Sequence, residues 1–175
     1  MKKIFVYLLA ALTISLFAIS SSFAAPVIGG QVYSLGGEIV VEVLPASAGY
    51  TSELHLYSPA SQYIATNREI GKVVNLGSFP FGNELIFGIY VQNTGNTFLM
   101  GPGTRNPDNI PHAAVEFIAP GQAIVGFEDL WGGGDRDYND NMFLFRGSVA
   151  PIPEPATMFL LGSGLIGLIG YKKRK

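Results

Sequence analysis

The chain has 175 residues, no cysteine and a formal net charge of −2; 14% of its residues are charged and 48% are apolar. That apolar share excludes a disordered chain, and the length allows one domain and hardly two. The missing cysteines exclude disulfide staples, thiolate zinc sites, iron–sulfur clusters and thiol catalysis.

Residues 1–24 read as a secretory signal. Lys2 and Lys3 form a positive start, Ile4 to Ile19 is an apolar run relieved by Thr13 and Ser15, and Ser20, Ser21 and Ser22 lead into Phe23-Ala24-Ala25. Cleavage between Ala24 and Ala25 puts small residues at −1 and −3 and keeps proline out of +1. The competing reading is an uncleaved membrane anchor.

Residues 25–150 form the body, with five basic against twelve acidic side chains, a formal −7. An acidic body disfavours nucleic acid and anionic lipid and suits divalent cations or neutral glycans. Its pattern is strand upon strand. Glu38 to Leu44 is rich in β-branched residues, and Tyr50 to Tyr57 alternates, with Leu54 and Leu56 opposite Glu53, His55 and Tyr57. Val73 to Leu76 is a short strand; in Glu84 to Gln92, Leu85, Phe87, Ile89 and Val91 share a face. Further strands are expected at 97–100, 113–118, 123–127 and 142–146, separated by Gly, Pro, Asn and Ser. Short strands at such intervals, without helical periodicity, predict an all-β extracytoplasmic domain, an antiparallel β-sandwich of jelly-roll-like form.

The sharpest chemistry lies in Gly-Phe-Glu-Asp-Leu-Trp-Gly-Gly-Gly-Asp-Arg-Asp-Tyr-Asn-Asp, residues 126–140. Five carboxylates crowd into this turn between two apolar strands, and a hard divalent cation relieves their repulsion. Calcium takes six to eight oxygens from carboxylates, amides and backbone. Asp135, Asp137 and Asn139 recur every second residue, like the opening of an EF-hand loop, but Asp140 stands where that loop needs glycine and Arg146 where it needs glutamate. The expected arrangement is instead a hairpin: Glu128 and Asp129 end one strand, Gly132–Gly134 turns the chain, and Asp135–Asp140 returns. Glu128, Asp129, Asp135, Asp137, Asn139 and Asp140 are the candidate calcium ligands, with Arg136 offsetting charge against Glu116, Glu128 or Asp129. The alternatives are an acidic turn held by Asx hydrogen bonds and ion pairs, and a catalytic magnesium site, for which no phosphate cradle or basic clamp is present. The segment resembles the hallmark of an uncharacterised bacterial β-domain found in secreted and adhesin-like proteins, with a looser likeness over about 45–147. The resemblance implies a calcium-binding module without known enzymatic activity, with those six residues at the matching positions.

The remaining residues offer less. His55 and His112 are expected at surface or partly buried structural positions, and neither a G-x-S-x-G elbow nor an H-E-x-x-H motif occurs. Glu38, Glu42, Glu53, Glu84 and Glu116 leave a glycosidase carboxylate pair open, as in any β domain with several glutamates. Trp131 is expected to close the end of the sandwich rather than serve as a sugar platform. Asp108, in the Asn106–Asn109 turn, is explained by turn chemistry.

The C-terminus mirrors the start: Pro153-Glu154-Pro155, an apolar run over 156–171, and the basic tail Lys172 to Lys175. A helix over 156–171 spans about 24 Å, short of a hydrocarbon core of about 30 Å but within reach of local thinning and snorkelling lysines. The cations stay cytoplasmic, so the body lies outside. Gly162-Ser163-Gly164-Leu165-Ile166-Gly167 spells a dinucleotide fingerprint but lacks its strand–turn–helix context, and small residues for helix contact explain it better. Residues 151–175 resemble the PEP-CTERM sorting signal, with Ile152 in place of the usual valine. The resemblance implies a substrate of exosortase, a membrane protease or transpeptidase of bacteria that make exopolysaccharide. Such an enzyme recognises Pro153, Glu154 and Pro155, which the prolines hold extended.

The expectation is therefore a non-enzymatic exported protein. Signal peptidase and exosortase process it, the inner membrane holds it transiently, and it ends at the cell surface or in the extracellular matrix. A calcium-stabilised domain then associates with exopolysaccharide or biofilm. A calcium-dependent, lectin-like adhesin and, further off, a glycan hydrolase are the alternatives.

Overall fold

The computed structural model describes residues 25–151. The predicted signal helix, the Pro153–Pro155 motif and the helix expected over 156–171 lie outside the described residues, as does Ala24; Ala25 is exposed. Among the described residues no helix is long and apolar enough to cross a membrane.

Ten strands carry the fold: β1 Val27–Ile28, β2 Val32–Val43, β3 Ser52–Ser58, β4 Gln62–Thr66, β5 Val73–Phe79, β6 Glu84–Val91, β7 Asn96–Leu99, β8 Ala113–Ala119, β9 Gln122–Phe127 and β10 Asn141–Ala150. A single 3-10 turn, Gly103–Arg105, is the only helical piece among the described residues. The strands pair in the order β1-β8-β9-β10-β2-β6-β3-β4, with β5 also on β2 and β7 also on β6, and every pairing is antiparallel.

β2 joins two layers. Its C-terminal half lies between β10 and β5, while Val32 and Tyr33 pair with Leu85 and Glu84 of β6. Gly36 and Gly37, at φ 82° and 139°, make the bend between the halves. Gly37 also lies against β10, where a Cβ would come within 2.5 Å of Ser148 Oγ. The interruption of β-branched alternation by this Gly-Gly pair is why the sequence places the strand only from Glu38 onward.

The layers meet through side chains of strict alternation. Leu85, Phe87, Ile89 and Val91 are all buried, as their shared face predicts, and the Phe87 ring lies 4.4 Å from that of Phe145 on β10. Each such side chain contributes roughly 1.5–3 kcal/mol when fully buried. Among the described residues the core cluster runs from Val32 to Val149. The expected antiparallel all-β architecture is present; β1 and β4 are additions to the expected strands.

Candidate metal centre

The acidic turn begins where β9 stops. Asn141 pairs with Phe127, so the thirteen residues 128–140 form a closed excursion from the end of one hairpin. Gly126 lets that excursion fold back on its own strand: a Cβ there would sit 2.0 Å from the Tyr138 carbonyl oxygen. Tyr138 is itself buried at φ 56°, its backbone N–H donating to Glu128 Oε1 at 2.5 Å and its hydroxyl to the Pro111 carbonyl at 3.3 Å.

Glu128 is fully buried, an unusual place for a carboxylate. A hydrogen-bonded strut fixes its backbone. Its N–H donates to the His112 carbonyl at 2.9 Å, and its own carbonyl faces His112 Nδ1 at 3.0 Å. His112 Nε2 meets Asp108 Oδ2 at 2.8 Å, and the same oxygen accepts the Gly132 N–H at 2.9 Å. The imidazole stacks on Phe98, ring centres 3.7 Å apart and 8° from parallel. His112 is therefore a sealed structural post, and the surface position open to it from sequence is corrected. Pro111 before it and β8 after it set it against the turn, where it ties three segments together. Asp108 also accepts the Ile110 N–H at 3.2 Å, the turn chemistry expected of it. These donors hold its carboxyl below the ordinary value although burial pushes the other way.

Three of the six candidate ligands converge. Carboxylate oxygens of Glu128, Asp135 and Asp137 lie within 4.8 Å of one another, with Glu128 buried and the two aspartates exposed. Two oxygens bound to one calcium at about 2.4 Å are at most about 4.8 Å apart, so the three can share an ion. Glu128 Oε2 is buried and has no hydrogen-bond partner. Gly134, at φ 49°, leaves open the space beside it, since a Cβ would lie 2.5 Å from that oxygen.

The other three are placed differently. Asn139 braces Asp137, its backbone N–H donating to Oδ1 at 3.1 Å and its side-chain amide to Oδ2. Asp140 Oδ2 accepts the Asp129 N–H at 3.2 Å, and Asp129 Oδ2 is buried without a partner. Asn141, which sequence reasoning passed over, sits beside this pair fully buried with both amide atoms unpartnered. The sequence offers six oxygen-bearing side chains, five carboxylates and one amide; folding sorts them into a converging triad, a brace and a second acidic pair.

The field in the turn is strongly negative. Burial pushes the Glu128 carboxyl up, and Asp140, Asp135 and Asp137 add to that. Burial and the adjacent Asp140 lift Asp129 to about 6, and burial also raises Asp140. The expected pairing of Arg136 with Glu116, Glu128 or Asp129 does not occur: Arg136 is in no ion pair among the described residues. At φ 64° it turns aside and lines a cleft of about 250 Å³ with Glu116, Ile124, Tyr138 and Met142. Trp131 also departs from expectation. It is 58% exposed, because it sits inside the turn closed by the Gly133 N–H to Leu130 carbonyl bond of 3.0 Å, and so it does not plug the sandwich.

Residues 81–148 match the family described as a domain of unknown function (DUF4114), and residues 151–175 match the PEP-CTERM protein-sorting motif. The first match takes in β6 to β9, most of β10 and the whole acidic turn, and starts later than the likeness expected from about residue 45. No curated protein matches the chain. The sorting motif marks an exported protein that is held transiently at the membrane and processed by exosortase.

Proposed function

We propose that the β domain is a non-catalytic, calcium-stabilised module of a surface or matrix protein, freed from residues 1–24 by signal peptidase and associated with exopolysaccharide or biofilm after exosortase processing. Two observations support calcium: carboxylate oxygens of Glu128, Asp135 and Asp137 converge within 4.8 Å of one another, and Glu128 Oε2 is buried without a hydrogen-bond partner. A buried carboxylate oxygen without a partner is costly, and an ion with oxygen preference removes that cost. Calcium suits the site better than magnesium, which demands near-octahedral geometry and is commonly bound with substrate phosphates. Two of the triad are exposed, which leaves the remaining coordination positions to water and backbone carbonyls. A second reading, calcium-dependent glycan contact, rests on the exposed Trp131 beside the turn.

The expected result is a melting temperature for residues 25–151 higher by about 8 °C at a calcium concentration a hundredfold above the dissociation constant than in chelator. Identical melting in millimolar calcium and in chelator overturns the proposal.

A further inference from the structure

The outer face of the second layer carries tyrosines that the core does not use. The β3–β4 register sets His55 opposite Tyr63, and Tyr57 follows two residues along on the same face. The His55 ring centre lies 5.4 Å from that of Tyr63 and 5.8 Å from that of Tyr57, so the three rings form one strip. Tyr90 of β6 stands in the next row, opposite Glu53. Tyr63, Tyr57 and Tyr90 are 47%, 39% and 37% exposed, whereas Leu54 and Leu56 between them on β3 point into the core. Gly88, across from His55, makes the strip low: a Cβ there would lie 3.0 Å from Tyr57 Cε2 and 2.6 Å from Leu99 Cδ2. Its bare backbone is the space that lets the Tyr57 ring lie along the sheet.

A fixed polar group stands beside the rings. Glu53 Oε1 accepts from Gln92 Nε2 at 2.7 Å, and Oε2 meets His55 Nε2 at 2.9 Å. Those bonds, Gln92 first, hold the Glu53 carboxyl below its ordinary value, so it is an ionised acceptor near neutral pH. Glu69 and Lys72, at the Tyr63 end, neutralise each other at 2.9 Å.

We propose that this face binds a neutral polysaccharide chain, with Tyr57, Tyr63 and Tyr90 stacking on pyranose rings and Glu53, His55 and Gln92 holding hydroxyls. The fit is one of charge. The negative faces of the rings meet the positive C–H hydrogens of a sugar, and an ionised carboxylate accepts from hydroxyls. The same charges select against an anionic polymer, because Glu53 sits among the rings on a body of formal charge −7. None of these residues belongs to the acidic turn, so the face works with or without an ion there.

The test uses the full chain in a zwitterionic, sugar-free detergent, run through native gels containing dissolved glucan, galactomannan or alginate. Retardation is expected on a neutral polymer and not on alginate, and it is expected to be unchanged by chelator. It should weaken about tenfold or more in Tyr57→Ala and Tyr63→Ala, while Tyr63→Phe, which keeps the ring and reports on folding, retains it. Three results overturn the proposal: no retardation on either neutral polymer; retardation that chelator or Trp131→Ala removes while the tyrosine variants keep it; or self-association abolished by Tyr63→Ala, which makes the face a contact between copies of the chain.

Discussion

Replacing His112 with alanine is expected to destabilise the domain by about 3 kcal/mol and to weaken calcium binding with it. The effect is large because one ring does several things. It is fully buried, lies flat on Phe98, and presents both nitrogens to acceptors, the Glu128 carbonyl at 3.0 Å and Asp108 Oδ2 at 2.8 Å. Alanine leaves a cavity over Phe98 and strips one partner each from a buried carbonyl and a buried carboxylate. Asp108 retains the Gly132 and Ile110 N–H groups, so the loss stays below that of a wholly abandoned charge. Glu128 keeps its N–H bond to the backbone carbonyl of residue 112 but loses the imidazole that braces its own carbonyl, and is held less firmly. Urea unfolding of residues 25–151 measures the first effect, and calcium titration of the same variant measures the second. A His112→Ala domain as stable as the parent removes the post from the account.

The second large effect is on pH. In the ion-free domain the Asp129 carboxyl stands at about 6, above its ordinary 3.8, from burial and the adjacent Asp140, and Glu128 and Asp140 are raised as well. A carboxyl raised in the folded state favours folding where it is protonated. Its contribution is complete below the unfolded value of 3.8 and is lost as pH rises toward about 6. In chelator the domain is therefore expected to melt at a lower temperature at about pH 7 than at about pH 5, with Asp129 losing stability on the order of 1 kcal/mol across that range. Asp108 and Glu53 act the other way. Their carboxyls are held below their ordinary values, so their contribution falls as pH drops through those lowered values, and stability declines again in strong acid. Calcium should raise melting most at about pH 7, where the turn is ionised, and flatten the slope between about pH 5 and 7. A melting temperature in chelator that climbs steadily from about pH 5 to 7 contradicts the description of a turn crowded with buried carboxyls.

Alternation made much of the fold legible. Leu85, Phe87, Ile89 and Val91 announce a buried face, and the turns rich in Gly, Pro and Asn mark where the chain reverses. What escaped were strands without that signature. β1 is two residues long, and in β4 the irregular register against β3 buries both Ile64 and Ala65, so period two fails there. At the metal centre the residue types were readable but their division was not. Nothing in the order of residues distinguishes Glu128, sealed beneath Gly134, from Asp129 next to it, because the difference comes from how the Gly run and Tyr138 fold back over β9. His112 and Asp108 lie well before the turn in sequence, and only the closing of β8 onto β9 brings them to Glu128. The tyrosine strip depends in the same way on cross-strand register, which places Tyr63 by His55 and leaves Gly88 beneath Tyr57.

The most direct measurement is isothermal titration of calcium into residues 25–151 beside the Glu128→Gln variant. Glutamine keeps an oxygen for the Tyr138 N–H and nearly the same shape, but it removes the charge at the centre of the triad. The prediction is a saturable heat with one ion per chain in the parent, and an affinity at least about tenfold lower in Glu128→Gln. No heat at millimolar calcium, or equal binding by both proteins, contradicts the claim that an ion neutralises this turn.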